Sequence, residues 1–153
     1  MRNDTAGIAS LIVETEIRAQ PDAVWKALTD NINQWWPNDF YTGGEEGARR
    51  FFLEAHPGGR MYEEWDTGGG LLWATVAYID PNVRLQVQGA VFPNWGGPCE
   101  WYGSWDLSDT NTGTLLRFSE HSIGKVSDSG TRSKEEGWQQ LGEALKACVE
   151  AQR

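Results

Sequence analysis

Two glutamates stand out as residues that could do chemistry. In the segment Arg60 to Asp66, Met61, Glu63 and Trp65 share one parity; in the segment Thr114 to His121, Leu116, Phe118 and Glu120 do. Every second side chain of an extended chain points to the same face. Glu63 and Glu120 therefore each ride on an otherwise apolar face. A carboxylate enclosed by apolar side chains has its charged form disfavoured, which suits it to general acid or base work. His121 follows Glu120 with opposite parity, at a strand end where parity is weakest. It is a third candidate, with a surface position as the alternative. Two bland readings stand beside the chemical one. A one-residue slip in register would turn either glutamate to solvent. An ion pair with Arg49, Arg60 or Arg117 would make either one structural.

Other chemistries lack their signatures. Cys99 and Cys148 form no CxxC pair, and neither His56 nor His121 has partners at ligand spacing, so no metal is expected. Gly58-Gly59 and Gly68-Gly69-Gly70 lead into no helix with Lys and Ser or Thr, so they read as hairpin turns rather than phosphate loops. There is no GxSxG, and Cys99 has no evident His partner. No cofactor is implied.

The elements that must position these residues can be read in order. Residues 8 to 18 alternate, with Leu11, Val13, Thr15 and Ile17 on the apolar face. Pro21 suits a first helical turn, and Val24, Trp25 and Leu28 give that helix its stripe. Ile32, Trp35 and Trp36 form a second short helical patch ended by Pro37. Six strands follow: Arg49 to Ala55, Arg60 to Asp66, Leu71 to Ile79, Val83 to Val91, Glu100 to Leu107 and Thr114 to His121. Gly, Pro, Asn and Asp fill the breaks, and the breaks are too short for helical crossovers, so the strands are antiparallel neighbours. Ser133 and Glu136 form a capping box for a last helix, whose apolar face is Trp138, Leu141, Leu145, Cys148 and Val149. A twisted antiparallel sheet with one amphipathic helix must bury that helix against its concave face. The expectation is a single α+β domain over residues 1–153, its core at about 8–150.

Composition bounds the partners. Thirteen basic and 22 acidic residues leave a net charge of −9, which disfavours nucleic acid and anionic membranes. The apolar run Ile8 to Val13 is too short for a signal peptide, and no stretch approaches membrane-spanning length, so a cytoplasmic protein is expected. Nine Trp residues are the other unusual feature.

The order of elements and the residues at their joints resemble the START-like or SRPBCC superfamily, the helix-grip (Bet v 1-like) fold. Ile17 to Thr29, Gln34-Trp35-Trp36, Pro57 to Met61, Ala74-Thr75-Val76 to Arg84-Leu85, Gly113-Thr114 with Leu116 and Phe118, and Gly137-Trp138 with Leu141 and Leu145 carry the likeness. Within the superfamily the chain looks most like the heat-shock protein 90 ATPase activator homologue-like family. Ala74 stands where that family usually has Gly. There is no room for the separate chaperone-binding domain of the eukaryotic activators, which counts against a co-chaperone role.

The resemblance implies about seven strands curved around the long C-terminal helix, two short helices after the first strand, and a pocket between sheet and helix. Parity then names its lining as Met61, Trp65, Trp101, Trp105 and Phe118, with Trp36 and Trp138 at the rim. Trp at strand spacing is also ordinary core. Parity does not choose between Trp73 and Ala74, and Gly89, Gly103 and Gly142 suggest space left open. Such a lining suits a hydrophobic, aromatic or lipid-like ligand. Three functions are consistent with it: a small-molecule binding domain, a cyclase- or hydrolase-type enzyme using Glu63 or Glu120, and a chaperone-associated or stress-response protein. Trp95, in a Pro/Gly loop, is the candidate exposed aromatic for a homodimer contact.

Overall fold

The structure is a computed structural model that describes residues 4–152. The chain runs β1 (Gly7–Ile17), α1 (Pro21–Leu28), α2 (Ile32–Trp35), β2 (Arg49–Leu53), β3 (Arg60–Trp65), β4 (Gly70–Asp80), β5 (Arg84–Val91), β6 (Cys99–Thr110), β7 (Gly113–Gly124) and α3 (Asp128–Ala151). One sheet holds all seven strands in the order β1-β7-β6-β5-β4-β3-β2, and every neighbouring pair is antiparallel. From β2 to β7 the chain is a meander. The first strand instead pairs with the last, and α1 and α2 carry the chain from that edge to the other. This is the expected helix-grip order.

Alternation decides which face is buried. Leu11, Val13, Thr15 and Ile17 on β1 are buried, as are Trp101, Gly103, Trp105 and Leu107 on β6. On α3 the buried stripe is Leu141, Leu145 and Val149, laid mainly against β1 and the first helix. Gly142 makes that approach close: a Cβ there would lie 2.6 Å from Thr15 Oγ1. An interior glycine costs a helix roughly 1 kcal/mol relative to alanine, and the close approach explains why it stands here.

Two features differ from the expectation, and both shape the site. The last helix starts at Asp128, not near Ser133. Ser127 is its N-cap, with Oγ accepting from the Gly130 amide at 3.1 Å. Residues 128–137 contain no large apolar side chain, so hydrophobic periodicity had nothing to register there. The second feature is a bulge. Met61 pairs with Ala74 but Tyr62 pairs with Leu72, which leaves Trp73 as an extra residue on β4. The choice between Trp73 and Ala74 dissolves: Ala74 is buried, and Trp73 packs against Phe51 and Trp36 on the same inner side.

Candidate functional site

A cavity of about 600 Å³ lies between the concave face of the sheet and the N-terminal half of α3, and it opens to solvent. Its inner walls include Trp73, Trp101 and Leu11 from the sheet and Trp138 and Leu141 from the helix, while Phe92 and Trp95 stand at the rim. Phe92 and Trp95 are 65% and 51% exposed, so the mouth is apolar as well.

The cavity exists because the helix has nothing to fill it. The first turns of α3 are polar, and Trp138 is their first large apolar residue. From Trp138 onward the interior is packed. Phe118 and Trp138 lie 4.1 Å apart by ring centroids, and Trp105 adds contacts of 4.8 Å to Phe118 and 5.8 Å to Trp138. This aromatic plug closes the inner end, and beyond it lies a small void of about 20 Å³.

The seven aromatic or apolar residues expected at the pocket are therefore placed differently from one another. Trp101 and Trp138 line the large cavity. Trp105 and Phe118 belong to the plug, and with Trp36 and Met61 they border the small void beyond it. Trp36 is core rather than rim, stacked on Phe51 at 3.7 Å. Trp65 borders neither space. It is the last residue of β3, and its indole is covered by Gly43, Gly44 and Gly69. The space above Gly89 and Gly103 is not open, because the Trp101 indole lies across both.

Both glutamates point inward, as parity requires, but into different surroundings. Glu120 is 4% exposed and stands on the cavity wall. Its Oε2 accepts from Ser122 Oγ at 2.9 Å and from Lys134 Nζ at 3.0 Å; its Oε1 accepts from Trp138 Nε1 at 3.0 Å. Two partners come from α3, so the carboxylate ties helix to sheet across the wall. Lys134 is a third exposed by its side chain and also approaches Ser122 Oγ, at 3.4 Å.

Glu63 is 1% exposed and is bonded to no cation among the described residues. Its Oε1 accepts from the Thr42 amide at 2.8 Å, Thr42 Oγ1 at 2.5 Å and Trp65 Nε1 at 2.8 Å; its Oε2 accepts from Trp73 Nε1 at 2.8 Å. Four neutral donors replace the water the carboxylate lost. Thr42 and Trp73 both face the cavity, so Glu63 fixes one wall from behind without reaching the space. Burial first, and the Glu63 carboxylate second, push the Tyr41 phenol above its ordinary value. None of the anticipated arginine pairs forms with either glutamate. Arg60 instead clasps Glu54 through Nε and a second guanidinium nitrogen, at 2.8 and 3.0 Å.

His121 lies on the outer face, exposed, in register with Tyr102 of β6 and Ser10 of β1. Lys134, Ser122 and Thr42 escaped the sequence reading. Lys134 had a signal: it precedes Trp138, Leu141 and Leu145 by four, seven and eleven residues, the spacing of one helical face. Hydrophobic periodicity counts only apolar residues, so it passes over a lysine on that face. Among the described residues no group of three or more His, Cys, Asp or Glu side chains could hold a metal ion. No helix among them is long and apolar enough to cross a membrane.

A seven-stranded antiparallel sheet gripping a C-terminal helix, with a cavity between them, defines the helix-grip fold of the SRPBCC proteins. Over residues 18–150 the chain matches the family described as activator of Hsp90 ATPase homolog 1-like protein, and it belongs to that family. Among solved structures it is similar to protein MLL2253 from Mesorhizobium loti, with 22% identity, a TM-score of 0.70, and coverage of 95% of this chain and 99% of that one. CalU16 from Micromonospora echinospora gives 21% identity, a TM-score of 0.64, and coverage of 95% and 87%. Ara h 8.0201 gives 13% identity and a TM-score of 0.69 over 95% and 99%. At these identities the likeness is one of fold. Among curated proteins, none matches the chain by sequence.

Proposed function

We propose that this protein holds a hydrophobic or aromatic small molecule in the cavity between the sheet and the N-terminal half of α3. The observation that carries the reading is the cavity of about 600 Å³ bordered by Trp73, Trp101 and Trp138. A site of this size with apolar walls and a few converging polar groups is the usual form of a small-molecule site. The plug of Trp105, Phe118 and Trp138 limits how deeply a ligand can enter. Titration of intrinsic fluorescence with polycyclic aromatics and fatty acids tests the reading, since Trp101 and Trp138 would contact whatever binds. Saturable quenching or energy transfer with at least one class is expected. A flat response across both classes would sink the proposal.

One observation favours a second reading, acid–base catalysis on the bound molecule. Glu120 is a carboxylate on the cavity wall, hydrogen-bonded to a hydroxyl and an ammonium, where a bound molecule would meet it. Glu63 takes no part in this reading, because all its partners are fixed and it does not reach the space. Replacing Glu120 with Gln and assaying turnover of any ligand that binds tests the role. Unchanged turnover would reject it.

A further inference from the structure

The cavity is chemically lopsided. The charged residues that border it are Glu120, Lys125 and Lys134, two cations against one anion, in a chain whose net charge is −9. The wall also holds N–H donors with capacity to spare. Lys134 spends its contacts on Glu120 and Ser122, yet its side chain is 35% exposed, and an ammonium has three protons to give. Trp101 is buried on the wall, and its Nε1–H meets no acceptor among the described residues, unlike that of Trp138 beside it. Glu120 has three donors already. The first turn of α3, the positive end of a 24-residue helix, lies at the mouth through Ser127 and Gly130. Positive charge and two N–H donors are left over on this wall, while its one carboxylate is largely taken.

We infer that the ligand is an apolar organic acid: a hydrophobic body seated against Trp101 and Trp138, with a carboxylate that takes the free donors of Lys134 and Trp101. The inference rests on the proposed binding function and narrows it to one charge class. Glu120 then has a definite role. It holds Lys134 over the cavity and at the same time competes with the ligand for it, which tunes affinity downward.

Three probes with one body separate the possibilities: 1-pyrenebutyrate, 1-pyrenebutanol and 1-pyrenebutylammonium, each titrated by energy transfer from tryptophan. The carboxylate should bind about tenfold tighter than the alcohol, a typical gain for a charge-assisted hydrogen bond, and the ammonium more weakly than either. Lys134→Met should bring the carboxylate down to the level of the alcohol and leave the alcohol within about twofold. Glu120→Gln should do the opposite and strengthen carboxylate binding about threefold or more, because it releases Lys134 from its competitor. A merely structural role for the pair would weaken all three probes in both variants. Should Lys134→Met fail to fold, the sign of the Glu120→Gln effect decides. Equal binding of the three probes would overturn the charge assignment while supporting the cavity. Binding of none would overturn both.

Discussion

Glu63 and Glu120 sit on strands of one curved sheet, both turned inward and both almost wholly buried, and their company differs in kind. Glu63 is saturated by Thr42, Trp65 and Trp73, all neutral, in a corner closed off from the cavity. Glu120 is bonded to Ser122, Lys134 and Trp138 on a wall that faces the open space. The first arrangement fixes geometry. The second leaves a cation in reach of a visitor. Parity put the two glutamates on equal terms, and only the packing around them separates a scaffold residue from a site residue.

That contrast can be broken by mutation. The largest effect should come from Glu63→Ala, which takes the acceptor from four half-buried donors at once. A loss of about 3 kcal/mol or more is expected in urea unfolding. Glu120→Gln should cost less than about 1 kcal/mol, since the amide oxygen still accepts from Trp138 and the lysine can turn to water. Equal losses at the two positions would erase the distinction.

Two of the three glycines of α3 sharpen the same division between packed and open ends. At Gly142 an added Cβ would crowd Thr15 Oγ1 at 2.6 Å, so Gly142→Ala should destabilise by about 1–3 kcal/mol. At Gly137, beside the cavity, the nearest atom is Phe40 Cε1 at 3.5 Å, an ordinary contact. Gly137→Ala should raise stability by about 0.5–1 kcal/mol, the helix-propensity gain. Thermal melts of the two variants should move in opposite directions.

The smallest effect belongs to a surface pair away from both corners. Arg60 holds the Glu54 carboxyl at about 2 against an ordinary 4.5, through side-chain and backbone hydrogen bonds. A depressed carboxyl stabilises the fold above its ordinary value and loses that contribution as pH falls from about 4.5 toward 2. Glu54→Gln should therefore flatten the acid limb of the stability curve slightly in that window. An identical limb in both proteins would show that exposure to solvent cancels the pair.

Most of the fold was legible because its signals are local. Turn residues bounded the strands, and period-two parity named the buried face of β1, β6 and β7 correctly. The site was less legible, for three physical reasons. The bulge at Trp73 added a residue that alternation does not count. Lys134 lies on the inner face of α3 without belonging to its apolar stripe, because a helix held by a serine cap and overhanging a cavity needs no apolar residue there, and periodicity counts only apolar ones. Inward parity also says nothing about whether an indole meets a void or another ring. It grouped Trp65, Trp101 and Trp105, of which Trp101 borders the cavity, Trp105 fills the plug and Trp65 lies under loop glycines.

The nine indole N–H groups offer the most direct test, because each gives its own signal in a two-dimensional nitrogen–proton spectrum of the labelled protein. Titration with 1-pyrenebutyrate should move the Trp101 and Trp138 signals in a saturable way and leave those of Trp25 and Trp65 in place. Movement of Trp95 alone, or no movement at all, would contradict a ligand seated in the cavity.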